Sequence, residues 1–323
     1  MTQSLIQVEK LTKSFLVNRR QLTAVRDLSF SIDPGQTLGL VGESGCGKTT
    51  LGRLLLRLYE PNSGSILFRG QDITRFSDQK MKIVRRHMQM IFQDPFASLN
   101  PRMTVESIIS EPLIVHAVGS SEEQKKQVVE LLDLVNLPKN CLGRFPHEFS
   151  GGQRQRIGIA RALALHPELI ICDEPISALD VSIQAQIANL LLSLQKELKL
   201  TYLFIAHDLA MVKVLARRVA VMYLGEFVEI GPVEELYTHP RHPYTQILLD
   251  SIPLHDPIRE RTRTQPVLHG EPPSPLNPPQ GCPFCTRCPK AQSICFQQKP
   301  SLKEVGKEHQ AACFYSNPVY CSG

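Results

Sequence analysis

The run Gly42-Glu43-Ser44-Gly45-Cys46-Gly47-Lys48-Thr49-Thr50 carries the most specific chemistry in this 323-residue chain. It follows an apolar strand candidate, Thr37–Val41, and leads into a helix candidate from about Thr50 to Leu58. Strand, glycine-rich turn and helix are the context that a phosphate-binding loop of the form G-x-x-x-x-G-K-[ST] requires. Glycines at 42, 45 and 47 let backbone N–H groups point inward around a phosphate with no Cβ in the way. The following helix adds its positive N-terminal end. Lys48 is then placed to reach the β- and γ-phosphates of a nucleotide, and the Thr49 hydroxyl to bind Mg²⁺.

Four smaller constellations accompany the loop. The apolar strand candidate Leu169–Cys172 ends in two carboxylates. Asp173 suits Mg²⁺ held through water, and Glu174 suits polarisation of an attacking water. Ser150-Gly151-Gly152-Gln153 opens a helix and forms a second anion-binding arrangement; taken alone, it is an ordinary serine N-cap. His207 ends the strand candidate Tyr202–Ala206, in reach of a γ-phosphate, and Gln93 ends Met88–Phe92. Alone, these two are a solvated histidine and a turn residue.

The elements that must position these groups are legible as periodicity. Short strands are expected at Leu5–Val8, Leu28–Ile32, Thr37–Val41 and Ser65–Phe68. From about residue 96 to 165 the spacing turns helical, clearest at Thr104–Val115 and Glu122–Val135. Strand Leu169–Cys172, helix Val181–Leu198, strand Tyr202–Ala206, helix Leu209–Ala216 and strand Val219–Met222 then alternate. This order predicts an α/β fold with a mainly parallel sheet covered on both faces, antiparallel strands at the N-terminus and a helical insertion at 96–165. Beyond Gly231 the order weakens, and Pro272-Pro273-Ser274-Pro275 and Pro278-Pro279 read as a stiff connector into a cysteine-rich tail. The expected division is an ATPase domain over 1–250 and a C-terminal extension over 251–323.

In order and spacing these motifs resemble the ATP-binding subunit of an ABC transporter, over roughly residues 5–250. Gly42–Thr49 matches the Walker A loop, Gln93 the Q-loop and Ser150–Gln153 the signature. Leu169–Asp173 with Glu174 matches Walker B and the catalytic glutamate, Ser177–Asp180 the D-loop, and His207 the switch histidine. Phe15 stands where the family places an adenine-stacking aromatic; its other reading is a strand-edge core residue. The resemblance implies ATP and Mg²⁺ as ligands, with Gln93 and Asp173 joining Thr49 at the metal. It also implies a head-to-tail dimer in which Ser150 and Asp180 serve the partner's nucleotide.

A narrower resemblance, to the oligopeptide/dipeptide import ATPases, rests on Gln93–Arg102, His242–Gln246, Gly270–Pro279 and the tail around Cys282, Cys288, Cys295 and Cys313. The chain looks most like the second of the two unlike ATPases of such systems. That implies a non-identical partner ATPase, two membrane permease subunits and, indirectly, an extracytoplasmic binding protein. It also implies a peripheral place on the cytoplasmic face of the bacterial inner membrane. Nickel, glutathione and antimicrobial-peptide importers share this tail. A non-transport ABC ATPase usually carries two cassettes or a long coiled coil, and this chain has neither. A P-loop kinase needs no Ser-Gly-Gly-Gln run.

Composition agrees with these expectations. A net charge of +5 with scattered basic residues gives no argument for nucleic acid. No apolar run reaches membrane-spanning length, and the first ten residues lack a signal peptide's apolar core. Of nine cysteines, Cys46, Cys141 and Cys172 read as buried free thiols. The other six, Cys282, Cys285, Cys288, Cys295, Cys313 and Cys321, crowd the last 42 residues, which points to metal more than to disulfides. The spacing Cys282-x5-Cys288-x6-Cys295-x17-Cys313 matches the importer tail, where it implies a [4Fe–4S] cluster. Zn²⁺ also suits four thiolates, and Cys285 could replace one of the four.

Overall fold

The computed structural model describes residues 3–177, 179–252 and 270–316; Ala178 of the Ser177–Asp180 run and Cys321 lie outside them. Ile6–Val17 (β1) and Arg20–Ile32 (β2) form a long antiparallel hairpin. Its two-residue turn, Asn18-Arg19, has both residues at positive φ, the geometry that matches the twist of the flanking strands. The strands expected at Leu5–Val8 and Leu28–Ile32 are the buried ends of this hairpin. Its polar middle gave no periodic signal. Thr37–Val41 (β3) leads through the glycine loop into helix Lys48–Leu55 (α1). Ser63–Phe68 (β4) and Gln71–Asp72 (β5) return to the hairpin, giving a four-stranded antiparallel sheet in the order β2-β1-β4-β5.

After helix Asp78–Arg85 (α2), strand Met88–Ile91 (β6) enters the main sheet. The expected helical insertion consists of Pro95–Ser98 (α3), Val105–Val115 (α4), Ser121–Leu134 (α5) and Gly151–Leu163 (α6). Leu169–Asp173 (β7), Val181–Leu198 (α7), Thr201–Ala206 (β8), Leu209–Leu215 (α8) and Arg218–Tyr223 (β9) follow in alternation. Glu226–Pro232 (β10), Val233–Thr238 (α9) and Pro243–Asp250 (α10) complete the stretch before the tail. The tail adds a short helix, Ser293–Gln297, and a hairpin of Lys303–Gly306 (β11) and His309–Ala311 (β12).

The main sheet runs β11-β12-β10-β9-β3-β8-β7-β6, parallel from β9 to β6 and antiparallel beyond β9. Every residue of β3, β7 and β8 is buried. Their side chains alternate between two cores, as the two-residue period of a strand requires. Leu38, Leu40, Leu169, Ile171, Leu203 and Ile205 join the core shared with α1 and the antiparallel sheet. Val41, Ile170, Cys172, Tyr202, Phe204 and Ala206 join the core shared with α6, α7 and α8. One face of the parallel sheet is therefore closed largely by a second sheet, not by helices alone. The order after Gly231 is also greater than the sequence suggested, because β12 pairs with β10 and so joins the tail to the main sheet.

Candidate active site

The groups singled out in the sequence lie at the carboxyl ends of the parallel strands, where ligands of open α/β sheets bind. The glycine loop follows β3, Gln93 lies just past β6, Asp173 and Glu174 end β7, and His207 ends β8. The loop's glycines are required by sterics at two points. Gly42 has φ 153° and a Cβ there would stand 2.1 Å from the Met222 carbonyl oxygen; Gly47 has φ 111° and a Cβ would stand 2.1 Å from that of Ala24. Side chains at either position would force β9 or β2 away from the loop. Between them, Ser44 and Gly45 are exposed, while Cys46 is buried and its thiol pushed up by burial, against the pull of Lys48.

Lys48 is buried, and its ammonium donates to the carbonyls of Gly42 at 2.7 Å and Glu43 at 3.0 Å. The Thr49 hydroxyl donates to Asp173 Oδ1 at 2.9 Å, and Thr50 continues α1 half-buried. Burial pushes the Asp173 carboxyl up, while the Thr49 hydroxyl and the charges of Arg53, Lys48 and His207 pull it down. Glu174 is held by two side chains. Gln93 Nε2 donates to its Oε2 at 2.7 Å, and His207 Nε2 contacts its Oε1. His207 Nδ1 in turn faces the Gly42 carbonyl at 3.2 Å. Glu174 also adopts φ 47°, an uncommon conformation for a residue with a side chain. Its N–H donates to Ile205 O, and its carbonyl accepts from the N–H and hydroxyl of Ser177. Strain of this kind persists where surrounding bonds over-determine the backbone. Lys48, His207, Glu174 and Gln93 thus form one chain of contacts, and the Thr49–Asp173 pair adjoins it through the backbone at both ends, bringing six predicted residues together.

Two other predicted features stand apart from it. Ser150 caps α6 in a reciprocal box: its hydroxyl accepts from Gln153 N–H at 3.3 Å, and Gln153 Oε1 accepts from Ser150 N–H at 3.0 Å. Gly151 and Gly152 lie against Leu179 and Ile183, beside Asp180, which caps α7 by accepting from Ile183 N–H at 3.0 Å. Ser150, Asp180 and Val181 are all exposed. Phe15 is half-buried on β1, its ring 5.3 Å edge-on from Tyr59 with the Lys13 ammonium over it.

Two residues with no role assigned from the sequence, Arg287 and Tyr244, reach the loop from later in the chain. Arg287 Nη1 donates to both carboxylate oxygens of Glu43, at 3.0 and 2.9 Å, and to the Tyr223 hydroxyl at 3.4 Å. The Tyr244 hydroxyl accepts from Glu43 N–H at 2.9 Å. Tyr223, Tyr244 and Phe284 pack ring against ring beneath this contact. Tyr244 belongs to the first turn of α10, which His242 caps through Nδ1; burial pushes that imidazole down to about 4, keeping Nδ1 free to accept. A separation of 244 residues between Arg287 and Glu43 leaves no local pattern to detect.

In the tail, Cys282, Cys285, Cys288, Cys295 and Cys313 line one small cavity between α10 and the Cys295 helix. All five are free, as are the buried Cys46, Cys141 and Cys172. Burial and the neighbouring thiols push Cys282 up to about 12, and burial likewise raises Cys285, Cys288 and Cys313. Such thiols ionise readily beside a bound cation. As the side chains stand, no three His, Cys, Asp or Glu among the described residues are placed to hold a metal ion.

Residues 25–177 match the family described as ABC transporter, and residues 228–295 match the oligopeptide/dipeptide transporter, C-terminal region. The chain is 57% identical over 291 residues to the oligopeptide transport ATP-binding protein AppF of Bacillus subtilis, covering 90% of this chain and 88% of that one. It is 51% identical over 300 residues to the oligopeptide transport ATP-binding protein OppF of Haemophilus influenzae, covering 93% and 90%. A dimeric, post-hydrolysis ATP-binding cassette bound to ADP and Pi superposes with a TM-score of 0.65 at 28% identity, over 71% of this chain and 98% of that one. The cbiO1 part of the cbiONQ ABC transporter complex of Clostridium perfringens gives 0.66 at 28%, over 73% and 91%. The chain belongs to the ABC transporter family of ATP-hydrolysing subunits, in the branch that carries the oligopeptide/dipeptide transporter C-terminal region.

Proposed function

We propose that this subunit binds and hydrolyses ATP to drive import of di- or oligopeptides through partner membrane subunits. The observation that carries the reading is the gathering of Lys48, Thr49, Gln93, Asp173, Glu174 and His207 at the strand ends. Lys48 exchanges its Gly42 and Glu43 carbonyls for β- and γ-phosphate oxygens. Thr49, Gln93 and Asp173 are the residues that would hold Mg²⁺, which would neutralise the negative charge of the phosphates. Glu174 accepts a proton from the attacking water as its oxygen bonds to the γ-phosphorus and the bond to the β-phosphate oxygen breaks. His207 keeps that carboxylate oriented and faces the γ-phosphate. Gly42 to Thr50 wrap the phosphates, and Phe15 stacks on the base.

The exposed Ser150–Gln153 cap and Asp180 support a head-to-tail dimer with a non-identical ATPase, each signature closing the other's site. Two permease subunits and, beyond them, an extracytoplasmic binding protein complete the importer. Among the described residues no helix is long and apolar enough to cross a membrane, in keeping with a peripheral place on the cytoplasmic face of the bacterial inner membrane. The catalytic unit is taken as residues 1–250 and the extension as 251–323.

The five-cysteine cavity supports a [4Fe–4S] cluster held by Cys282, Cys288, Cys295 and Cys313, with Cys285 as the possible replacement ligand and Zn²⁺ as the other occupant its donors suit. Its role is structural, pinning the tail. The test is an assembled complex purified without oxygen, assayed for ATP hydrolysis with and without a peptide-loaded binding protein. Peptide-stimulated turnover is expected, in a brown preparation with iron and sulfide near four each per chain. Stimulation by nickel or glutathione instead would reassign the cargo, and a colourless protein with one zinc would replace the cluster.

A further inference from the structure

The phosphate loop is gripped from outside the catalytic unit, at Glu43. Two residues from later in the chain hold Glu43: Tyr244, near the end of the catalytic unit, and Arg287, in the extension. The Glu43 carbonyl receives Lys48 Nζ at 3.0 Å, so the position of Glu43 helps set the position of the phosphate-binding ammonium. Its N–H is taken by the Tyr244 hydroxyl at 2.9 Å, and its carboxylate by Arg287. The Arg287 side chain is 6% exposed and that of Glu43 22%, so this ion pair is shielded from solvent and differs from a surface pair of little consequence. Glu43 itself is spent on this contact, with both carboxylate oxygens on one guanidinium nitrogen.

Arg287 sits between Cys285 and Cys288, on the turn that Cys282 and Cys295 close through the bond from Cys282 N–H to Cys295 O at 2.8 Å. Its guanidinium is steadied by the Tyr223 hydroxyl at the end of β9, and the Phe284 ring beside it packs edge-on against Tyr223 at 5.3 Å. The position of Arg287 is thus fixed by the fold of the cysteine loop. We propose that Arg287 is a positioning residue for the phosphate loop: through Glu43 it holds Lys48 and the loop backbone in the shape that receives nucleotide. Order in the cysteine loop is thereby read out as affinity for ATP, whatever holds the loop together. By linkage, bound nucleotide must stabilise the cysteine loop to the same extent. The inference rests on reading Gly42–Thr50 as the ATP site.

The test uses the full chain purified without oxygen. Binding of a fluorescent ATP analogue with Mg²⁺ is titrated for wild type, Arg287→Met, Arg287→Lys, Glu43→Gln and the double variant Arg287→Met/Glu43→Gln. Arg287→Met and Glu43→Gln should each weaken binding about tenfold, and the double variant should be no weaker than either single one. Arg287→Lys should recover part of the loss, since it restores a cation without the planar fork. Hydrogen exchange at amides 282–295 should slow on ATP binding in the wild type and not in Glu43→Gln, a variant that leaves every cysteine-loop residue in place. Single variants that bind as tightly as wild type, or losses that add in the double variant, would overturn the clamp. A wild type that binds no ATP would overturn both the clamp and the site on which it rests.

Discussion

At the scale of single residues, the proposed hydrolysis turns on Glu174, whose surroundings hold a carboxylate in an uncommon backbone conformation. The backbone sits at φ 47°, held by Ile205 O above and Ser177 below, while Gln93 and His207 fix the side chain from two directions. A base fixed in this way spends no reorganisation when water arrives. Glu174→Gln should keep ATP binding, since the amide is isosteric, and cut hydrolysis by about 10²-fold or more because it no longer accepts the proton. Undiminished turnover in the assembled complex would exclude the role. Lys48→Ala acts on an earlier step. It removes the buried cation that two loop carbonyls now hold, so nucleotide binding itself should weaken by about tenfold or more, measured by titration. The gathering of these residues at the strand ends was legible because their spacing and strand-end positions converge on one place in the sheet. Arg287 was not legible: its partner is set by tertiary packing of rings at 223, 244 and 284, which no local pattern encodes.

At the scale of elements, the reading from sequence succeeded wherever burial is one-sided or complete. Apolar runs such as Leu169–Asp173 and the heptad-like spacing of Val181–Leu198 state their own secondary structure. The middle of the β1–β2 hairpin did not, because its exposed, mixed side chains are ordered by backbone pairing and a turn at Asn18-Arg19, not by an apolar face. The hairpin β11–β12 escaped for a related reason: strands of four and three residues carry too few positions for a period. The signature helix α6 shows an element serving two ends at once. Ser150 satisfies the N–H of Gln153 inside its own helix, yet the cap is exposed, as the proposed head-to-tail dimer requires. Ser150→Ala should therefore cost about 1 kcal/mol of helix capping, seen as a melting midpoint lower by roughly 2 °C. It should also reduce hydrolysis in the heterodimer by more than that stability loss explains. An unchanged heterodimer rate would leave Ser150 as a cap alone.

At the scale of the whole molecule, the question is how phosphate chemistry at the strand ends reaches a membrane partner. Gln93 touches Glu174 at one end, and two residues later the chain enters α3. Arg161, on α6, donates to Ser98 O at 2.7 Å and lies over the Phe92 ring, so the segment after Gln93 is tied to the same helix whose first turn is the signature. A shift of Glu174 on hydrolysis thus has a bonded route, through Gln93 and Arg161, into the helical insertion. Asn100 is exposed at the outer end of that route, and Ile114 and Val115 of α4 are 61% and 53% exposed on the insertion. Large apolar side chains left open in this way suit a surface that another protein covers. The Gln93–Arg102 segment should accordingly form part of the surface that receives a cytoplasmic helix of a permease. With photo-crosslinking residues at Ser98 or Asn100, the products from intact cells should contain a membrane subunit, and their yield should change when ATP is trapped by Glu174→Gln. Crosslinks exclusively to nucleic acid or ribosomal protein would reject the transporter; membrane-subunit crosslinks that ignore the nucleotide state would keep the docking and reject the route.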